Sequence, residues 1–181
     1  FTLRNVNDTD RIKQYMNEHA VQRAVIVGGG FIGLEMAENL HHAGAEVSVV
    51  EMADQVMGPI DYSMAALVHE HLLQKGVKLY LKQAVESFEE TSQGLAVHFK
   101  SGVRLEADLV ILSIGVRAET RLAEQAGLKL GEMKGSYVDE YLMTSQSDVY
   151  AVGDAIEYPH PITGKPWLNF LAGPANRQAR I

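Results

Sequence analysis

Continuous apolar runs alternate with helix-like patterns over the first part of the chain. Residues 24–27 form an apolar run of strand length that ends at Gly28, as expected for a parallel strand buried on both faces. Residues 31–43 carry apolar positions at helical spacing and are followed by Gly44, a typical helix terminator. Residues 46–51 predict a second strand, so the pattern indicates a complete βαβ unit.

Two more helical patterns flank this unit. Residues 7–19 predict a helix capped by Asp8 or Asp10. Residues 62–74 predict another helix, with Asp61 as its N-cap. The apolar stripe that this second helix is expected to turn toward the core consists of Met64, Leu67, Val68 and Leu72.

Short alternating segments follow and predict strands. Residues 77–80 predict a third strand, and the segments near residues 84–89, 95–100 and 103–106 alternate apolar and polar residues between turns. This spacing predicts a small antiparallel meander. Residues 109–113 then return as a buried strand, which makes the fold class α/β, with a parallel sheet and the meander as a crossover connection.

The pattern changes after Gly115 and predicts part of a second domain. A short helix is expected at residues 120–125, and the apolar run at residues 149–152 leads into Gly153 and Asp154. Residues 175–181 predict a helix without a terminal cap or glycine. We therefore expect the chain to end inside an element.

Composition and charge exclude several classes of function. Hydrophobic residues make up 46% and charged residues 22%, with no apolar stretch long enough for a membrane span. A net charge of -7 without a basic run argues against nucleic-acid binding. The absence of cysteine excludes a disulfide framework or redox thiol in this chain. No leader precedes the first helix, so we expect a fragment of a cytoplasmic protein.

The glycine-rich turn at residues 28–33 is the strongest chemical signal. Between a strand and a helix, Gly28 permits a tight turn, Gly30 allows close approach of a pyrophosphate, and Gly33 allows close helix-to-strand contact. The N–H groups around Phe31 and Ile32, at the helix start, would bind the pyrophosphate. The spacing predicts a Rossmann-like dinucleotide site.

Glu51 ends the second strand about 20 residues later, where an acid binds the adenosine ribose hydroxyls. A carboxylate there repels a 2′-phosphate, and residues 52–55 contain no Arg or Lys, so NADH is favoured over NADPH. A methyltransferase with a glycine-rich turn and a following acid is the competing interpretation. His69 and His71 would point about 200° apart on a helix, so we expect a solvated pair and no metal site.

A series of motifs along the chain resembles the pyridine nucleotide-disulfide oxidoreductase family. Within it the chain is most similar to the NADH oxidase and coenzyme A-disulfide reductase group. The motifs that carry the resemblance lie at residues 24–39, 51–52, 58–61, 113–117, 149–155 and 172–178.

The resemblance implies a domain organisation. Residues 22–115 would be the NAD-binding domain, inserted into an FAD-binding domain that includes residues 1–21 as a lead-in segment and residues 116–181 as its truncated second half. In the family, Gly115 belongs to the crossing between these domains. The redox cysteine and the dimerisation domain would lie outside this chain, and the complete enzyme would be a homodimer.

The resemblance also implies roles for individual residues. Phe31 would gate the flavin face, and Glu35 would lie near the nicotinamide. Gly153 and Asp154 would contact the FAD ribityl chain. The helix beside the flavin would begin with Ala175, Asn176 and Arg177.

The implied activity is that of an NADH-binding portion of an FAD-dependent oxidoreductase. The complete enzyme would pass hydride from NADH to the flavin and on to oxygen, peroxide or a disulfide such as CoA disulfide. The fragment alone is expected to bind NADH and catalyse little. A non-catalytic NADH-binding redox sensor is the alternative, although a pure NAD module has no need of the motifs after Gly115.

Overall fold

A four-stranded parallel sheet organises the first part of the chain in a computed structural model that describes residues 1–92 and 94–180. The chain divides into two units, Phe1–Gly115 and Val116–Ile181. The first unit contains, in chain order, α1 (Val6–His19), β1 (Arg23–Val27), α2 (Phe31–His42), β2 (Glu46–Val50), α3 (Tyr62–Gln74), β3 (Lys78–Tyr80), β4 (Val85–Thr91), β5 (Gly94–Phe99), β6 (Arg104–Ala107) and β7 (Leu109–Leu112).

The register of the parallel sheet brings three strand ends level with one another. The strand order is β3-β2-β1-β7, and Val27 of β1 lies opposite both Val50 of β2 and Leu112 of β7. The residues that follow these strands, Gly28 and Glu51 among them, therefore emerge at one edge of the sheet. This confirms the predicted α/β fold class.

The two faces of the parallel sheet are covered by different elements. Alternate strand residues such as Ile26 and Val49 pack with Ala37 and Leu40 of α2. The opposite face packs against the antiparallel sheet β4-β5-β6, where Phe99 is 1% exposed. The apolar strands are thus buried on both faces of the sheet, and the predicted meander covers one of these two faces.

The first 21 residues lie against this sheet, and α1 begins earlier than predicted. Its N-cap is Asn5, whose side chain accepts a hydrogen bond from Asp8 N, so the prediction of Asp8 or Asp10 as the cap is wrong. Ile12 is buried in the core. The Phe1 amino group donates to Val110 O at 2.7 Å. Assignment of this segment to a flavin domain stays a prediction.

Helix α3 has the predicted bounds but a different buried face. Ala65 is fully buried, whereas Met64 and Leu67 are 56% and 60% exposed. The predicted stripe is therefore wrong at two positions, because apolar residues lie around much of this helix and their spacing does not select one face. Asp61 occupies the N-cap position, but its side chain makes no capping hydrogen bond.

The second unit is built from short elements. They are α4 (Arg121–Gln125), β8 (Ser136–Tyr137), β9 (Ile156–Pro159), β10 (Pro166–Trp167) and α5 (Ala172–Gln178). Its sheet has the order β10-β9-β8, parallel between β8 and β9 and antiparallel between β9 and β10. Glu157 of β9 is 2% exposed and accepts hydrogen bonds from Met133 N and Gly135 N.

The regular elements in the C-terminal part of the second unit are short. The apolar run at residues 149–152 forms an isolated bridge from Tyr150 to Met143 and no regular strand. Helix α5 begins at Ala172, three residues before the predicted start, and ends at Gln178. The last residue of the predicted helix, Ile181, lies outside the described residues.

Asp108 joins the segment before β1 to the turn between β6 and β7, at the end of the parallel sheet opposite the strand ends described above. Its Oδ2 accepts hydrogen bonds from Gln22 N and Arg23 N, and its Oδ1 accepts from the Arg23 guanidinium at 2.7 Å. The Arg23 guanidinium and these backbone N–H groups hold the pKa of the Asp108 carboxyl below its ordinary value of 3.8. The carboxylate therefore stabilises the folded state.

Asp108→Asn is expected to lower the free energy of unfolding by about 1–2 kcal/mol at neutral pH, since an amide replaces a carboxylate that accepts several hydrogen bonds. The ion pair itself contributes below about 1 kcal/mol because both side chains are partly exposed. Because folding lowers the pKa, this stabilisation is present above pH 3.8 and is lost as pH falls through the folded-state value. Urea unfolding of both proteins between pH 2 and 7 measures it, and a difference in unfolding free energy that does not shrink as pH falls below 3.8 would contradict this cause.

Candidate dinucleotide site

A cavity of about 610 Å³ lies at the level strand ends of the parallel sheet. Its size is within the ~300–1,000 Å³ typical of small-molecule sites. The wall consists of the turns after β1, β2 and β7 together with the segment that enters β4. The lining residues are Val27, Gly28, Gly29, Gly30, Val50, Glu51, Met52, Ala53, Gln55, Gly58, Gln83, Ala84, Val85, Glu86, Phe88, Leu112, Ser113, Ile114 and Gly115.

The glycine turn is held tightly against the end of β7. Gly28 has φ +108°, a conformation that favours glycine. A Cβ on Gly33 would collide with the Gly28 carbonyl oxygen, so α2 can approach the turn this closely only without a side chain there. Ser113 Oγ lies 3.0 Å from both the Val27 and the Gly28 carbonyl oxygens and donates to them.

Gly30 is different, because no atom of residues 1–92 and 94–180 occupies the position of a Cβ on it. A Cβ on Gly30 would meet no heavy atom within 4 Å, and its φ of -81° suits any residue. Gly30 is the N-cap of α2, and no side chain of the part of the chain that the structure describes caps this helix. The first N–H groups of the helix and its partial positive charge are therefore free to act on an anion at this end of the cavity.

Glu51 closes the turn on the β2 side. Its Oε2 accepts a hydrogen bond from Gly29 N at 2.7 Å, and its Oε1 accepts from Ala53 N at 2.8 Å. These two bonds fix the carboxylate at the cavity wall. Glu86 is the other acidic residue that lines the cavity, and no Lys or Arg among the described residues does so. An anion in this cavity would be held by backbone N–H groups.

Two of the predicted site residues lie elsewhere in the first unit. Phe31 and Glu35 line a separate groove of about 430 Å³ between α2 and α3, together with His41, His42 and His71. The Phe31 side chain is half exposed. The structure thus brings Gly28, Gly30, Glu51 and Gly115 together in one cavity, but it places Phe31 and Glu35 on the other side of the helix start.

The predicted residues of the second unit form one local cluster. Gly153 and Asp154 belong to a single 3-10 turn, and Gly153 N donates to Gln178 Oε1 of α5 at 2.9 Å. A Cβ on Gly153 would lie 3.5 Å from Ala175 Cβ. Asp154, Asn176 and Arg177 are exposed. The turn and the helix therefore present polar side chains next to one another.

Sequence patterns did not indicate several residues that shape the cavity. Val56 is fully buried and packs against Gly29, and Met57 N donates to Gly29 O at 2.8 Å. His69 is half-buried and accepts a hydrogen bond from Val56 N, so the prediction of a solvated His69 is wrong. No sequence spacing indicates this contact, because it joins a loop to a helix turn 13 residues away.

Within residues 1–92 and 94–180, no group of three or more His, Cys, Asp or Glu side chains is arranged to hold a metal ion. None of the helices in the same ranges is long and apolar enough to cross a membrane.

Several known proteins are similar to this chain in sequence and fold. An NADH oxidase of Methanocaldococcus jannaschii is 36% identical over 182 residues, which is 100% of this chain and 40% of that protein. The crystal structure of reduced CoADR-RHD of Bacillus anthracis has 50% identity and a TM-score of 0.93, over 99% of this chain and 32% of that one. A FAD-dependent pyridine nucleotide-disulphide oxidoreductase from Desulfovibrio vulgaris has 37% identity and a TM-score of 0.81, with 99% and 46% covered.

The chain therefore spans less than half the length of each of these proteins. The sequence profile described as pyridine nucleotide-disulphide oxidoreductase matches residues 1–168. This match covers most of the 181 residues and agrees with the motifs in both units, so the chain belongs to the pyridine nucleotide-disulphide oxidoreductase family.

Proposed function

We propose that this chain is the NADH-binding portion of an FAD-dependent oxidoreductase. The observation that carries the proposal is the open space at Gly30, at an uncapped helix start, with the Glu51 carboxylate fixed on the same cavity wall. A pyrophosphate needs hydrogen-bond donors, which the helix start supplies, and a ribose diol needs a hydrogen-bond acceptor, which Glu51 supplies. NADH and FAD, when bound, supply the hydride chemistry.

The first unit orients NADH in this proposal. The N–H groups at the start of α2 hold the pyrophosphate beside Gly30, and Glu51 accepts hydrogen bonds from the adenosine ribose. Lack of a basic side chain in the described cavity wall disfavours the additional phosphate of NADPH. Ser113 and Gly115 lie at the β7 side of the cavity, where the nicotinamide end of an extended dinucleotide would lie.

The second unit contributes part of the flavin site in this proposal. Asp154 and the start of α5, with Ala175, Asn176 and Arg177, are the residues assigned to it. The adjacent turn and helix and the FAD-dependent relative support the assignment. We place Phe31 and Glu35 at the nicotinamide and flavin by resemblance alone, since neither lines the cavity.

The final electron acceptor is proposed to be oxygen, peroxide or a disulfide such as CoA disulfide. The chain contains no cysteine, so thiol chemistry would need a cysteine elsewhere in the complete enzyme. A homodimeric complete enzyme and a cytoplasmic location stay predictions.

NADH titration of the purified chain tests the proposal. We expect saturable NADH binding, NADPH binding at least about tenfold weaker because its 2′-phosphate meets the Glu51 carboxylate, and no competition by S-adenosylmethionine. Calorimetry measures the affinities. Lack of NADH binding by a folded chain, or displacement by S-adenosylmethionine, would contradict the proposed function.

A further inference from the structure

Residues 52–60, which we call the cavity loop, connect β2 to α3 and supply Met52, Ala53, Gln55 and Gly58 to the cavity wall. The loop is anchored to α3 through one side chain. His69 Nε2 lies 3.1 Å from Val56 N, and the N–H donates to the imidazole nitrogen. The ring of Tyr62 lies edge-on to the His69 ring at 6.2 Å.

The same residues anchor the cavity loop to the glycine turn. The Val56 side chain is fully buried and packs against Gly29, and Met57 N donates to Gly29 O at 2.8 Å. Met57 has φ +53°, a left-handed conformation that the surrounding contacts must hold in place. The His69 contact is therefore one residue away from the contacts that position Gly29.

Gly29 in turn determines where Glu51 lies, since Gly29 N donates to its Oε2 at 2.7 Å. A continuous set of contacts therefore runs from His69 through Val56 and Gly29 to Glu51. The cavity wall and the proposed ribose-binding carboxylate share this support.

The hydrogen bond requires one protonation state of His69. A backbone N–H is only a donor, so Nε2 must carry a lone pair, and the neutral imidazole then has its proton on Nδ1. A protonated imidazole would place N–H against N–H at a partly buried contact. Protonation of His69 would therefore cost the free energy of leaving the buried Val56 N–H donor without an acceptor.

Titratable groups of the neighbouring segments have other positions or partners. Glu51, at the end of β2, accepts hydrogen bonds from Gly29 N and Ala53 N, and Lys78 of β3 pairs with Glu46.

The titratable side chains of α2 face the groove that Val68, His71 and Leu72 line, and this groove does not include His69. These side chains are Glu35, Glu38, His41 and His42. The remaining groups on the cavity loop and α3 are Asp54, Asp61, Tyr62, Glu70 and His71. Within residues 1–92 and 94–180 no ion pair includes His69.

We propose that neutral His69 is a positioning residue for dinucleotide binding, and that its protonation weakens binding by releasing the cavity loop from α3. This inference rests on the proposed function of the cavity as an NADH site. His69 touches neither cofactor in the proposal and acts through Val56 and Gly29.

Calorimetric titration with NADH between pH 5.5 and 8.5 tests this, over the range in which histidine side chains change charge. The affinity of the unsubstituted chain is expected to fall about fivefold toward low pH, the effect of losing one hydrogen bond. His69→Leu should be about fivefold weaker at high pH and lack this pH dependence. His69→Gln keeps a side-chain acceptor and should restore affinity without the pH dependence. His71→Leu, on the same helix, should behave as the unsubstituted chain does.

A second readout separates this inference from the proposed function. In NMR titrations of the ligand-free chain, the Val56 amide and the His69 ring nitrogens should shift with one common midpoint. A Val56 amide that ignores the His69 titration would overturn the inference even if NADH binds, as would equal pH profiles for the unsubstituted chain and His69→Gln. No NADH binding at any pH, with the common midpoint present, would instead overturn the proposed function and leave the loop coupling established.

Discussion

Gly30→Val is expected to reduce NADH affinity by about 100-fold or more while leaving the fold intact, because the new side chain occupies the space proposed for the pyrophosphate. The protein itself has room for this side chain, since a Cβ on Gly30 meets no heavy atom within 4 Å. Its backbone has φ -81° and ψ -174°, which valine adopts without strain. Loss of binding would therefore report on the ligand and not on misfolding.

Two comparison variants make this experiment decisive. Gly173→Val has equally open surroundings in the second unit and should bind NADH as the unsubstituted chain does. Gly33→Val would collide with the Gly28 carbonyl oxygen and should lower the unfolding temperature. Calorimetry gives the affinities and thermal unfolding gives the stabilities. Retained NADH affinity in folded Gly30→Val would remove the phosphate-binding interpretation of the turn.

Glu51→Ala is expected to change the NADH/NADPH selectivity of the cavity. NADH should lose about 10- to 100-fold in affinity, because hydrogen bonds to a charged acceptor contribute about 1.5–3 kcal/mol. NADPH should lose far less, since the same change removes repulsion of its 2′-phosphate. Adding Met52→Arg should raise NADPH affinity above that of Glu51→Ala alone, because Met52 is 74% exposed and lines the cavity.

The ratio of the two affinities separates ribose recognition from damage to the turn. Glu51 also accepts hydrogen bonds from Gly29 N and Ala53 N, so its removal disturbs the binding of both dinucleotides. That disturbance cancels in the NADH/NADPH ratio because both ligands share the pyrophosphate. Glu86→Ala, at the other acidic residue lining the cavity, serves as the control and should leave the ratio unchanged. A ratio that is unchanged in Glu51→Ala would refute the ribose assignment.

The elements that the sequence predicted well are those with strong periodicity. The parallel strands β1 and β7 contain the continuous apolar runs of residues 24–27 and 109–112, and both faces of the parallel sheet are covered. The meander followed from alternating residues and turns, and its three strands pair as β4-β5-β6. The predicted boundaries of α1 and α5 were less accurate. Asn5 caps α1, and α5 begins at Ala172, and both helix starts depend on local geometry.

The sequence failed where a residue's environment depends on a distant segment. His69 was expected in solvent, yet it accepts a hydrogen bond from the cavity loop. Met64 and Leu67 were expected in the core, yet Ala65 is the residue of α3 that is buried. Helical spacing defines which side chains share a face. It does not define which face meets the rest of the protein, because packing across the sheet decides that.

The α/β class, the family and the group of residues at the strand ends follow from local sequence patterns, because a βαβ unit with a glycine turn and a following acid restricts the backbone locally. Three features arise only in the folded chain: Gly30 faces open space, Glu51 is fixed by Gly29 N, and Phe31 and Glu35 line a different groove. The two kinds of feature depend on interactions of different range. Turn and strand preferences act between neighbouring residues, whereas cavity walls arise from segments that meet only after the sheet has formed.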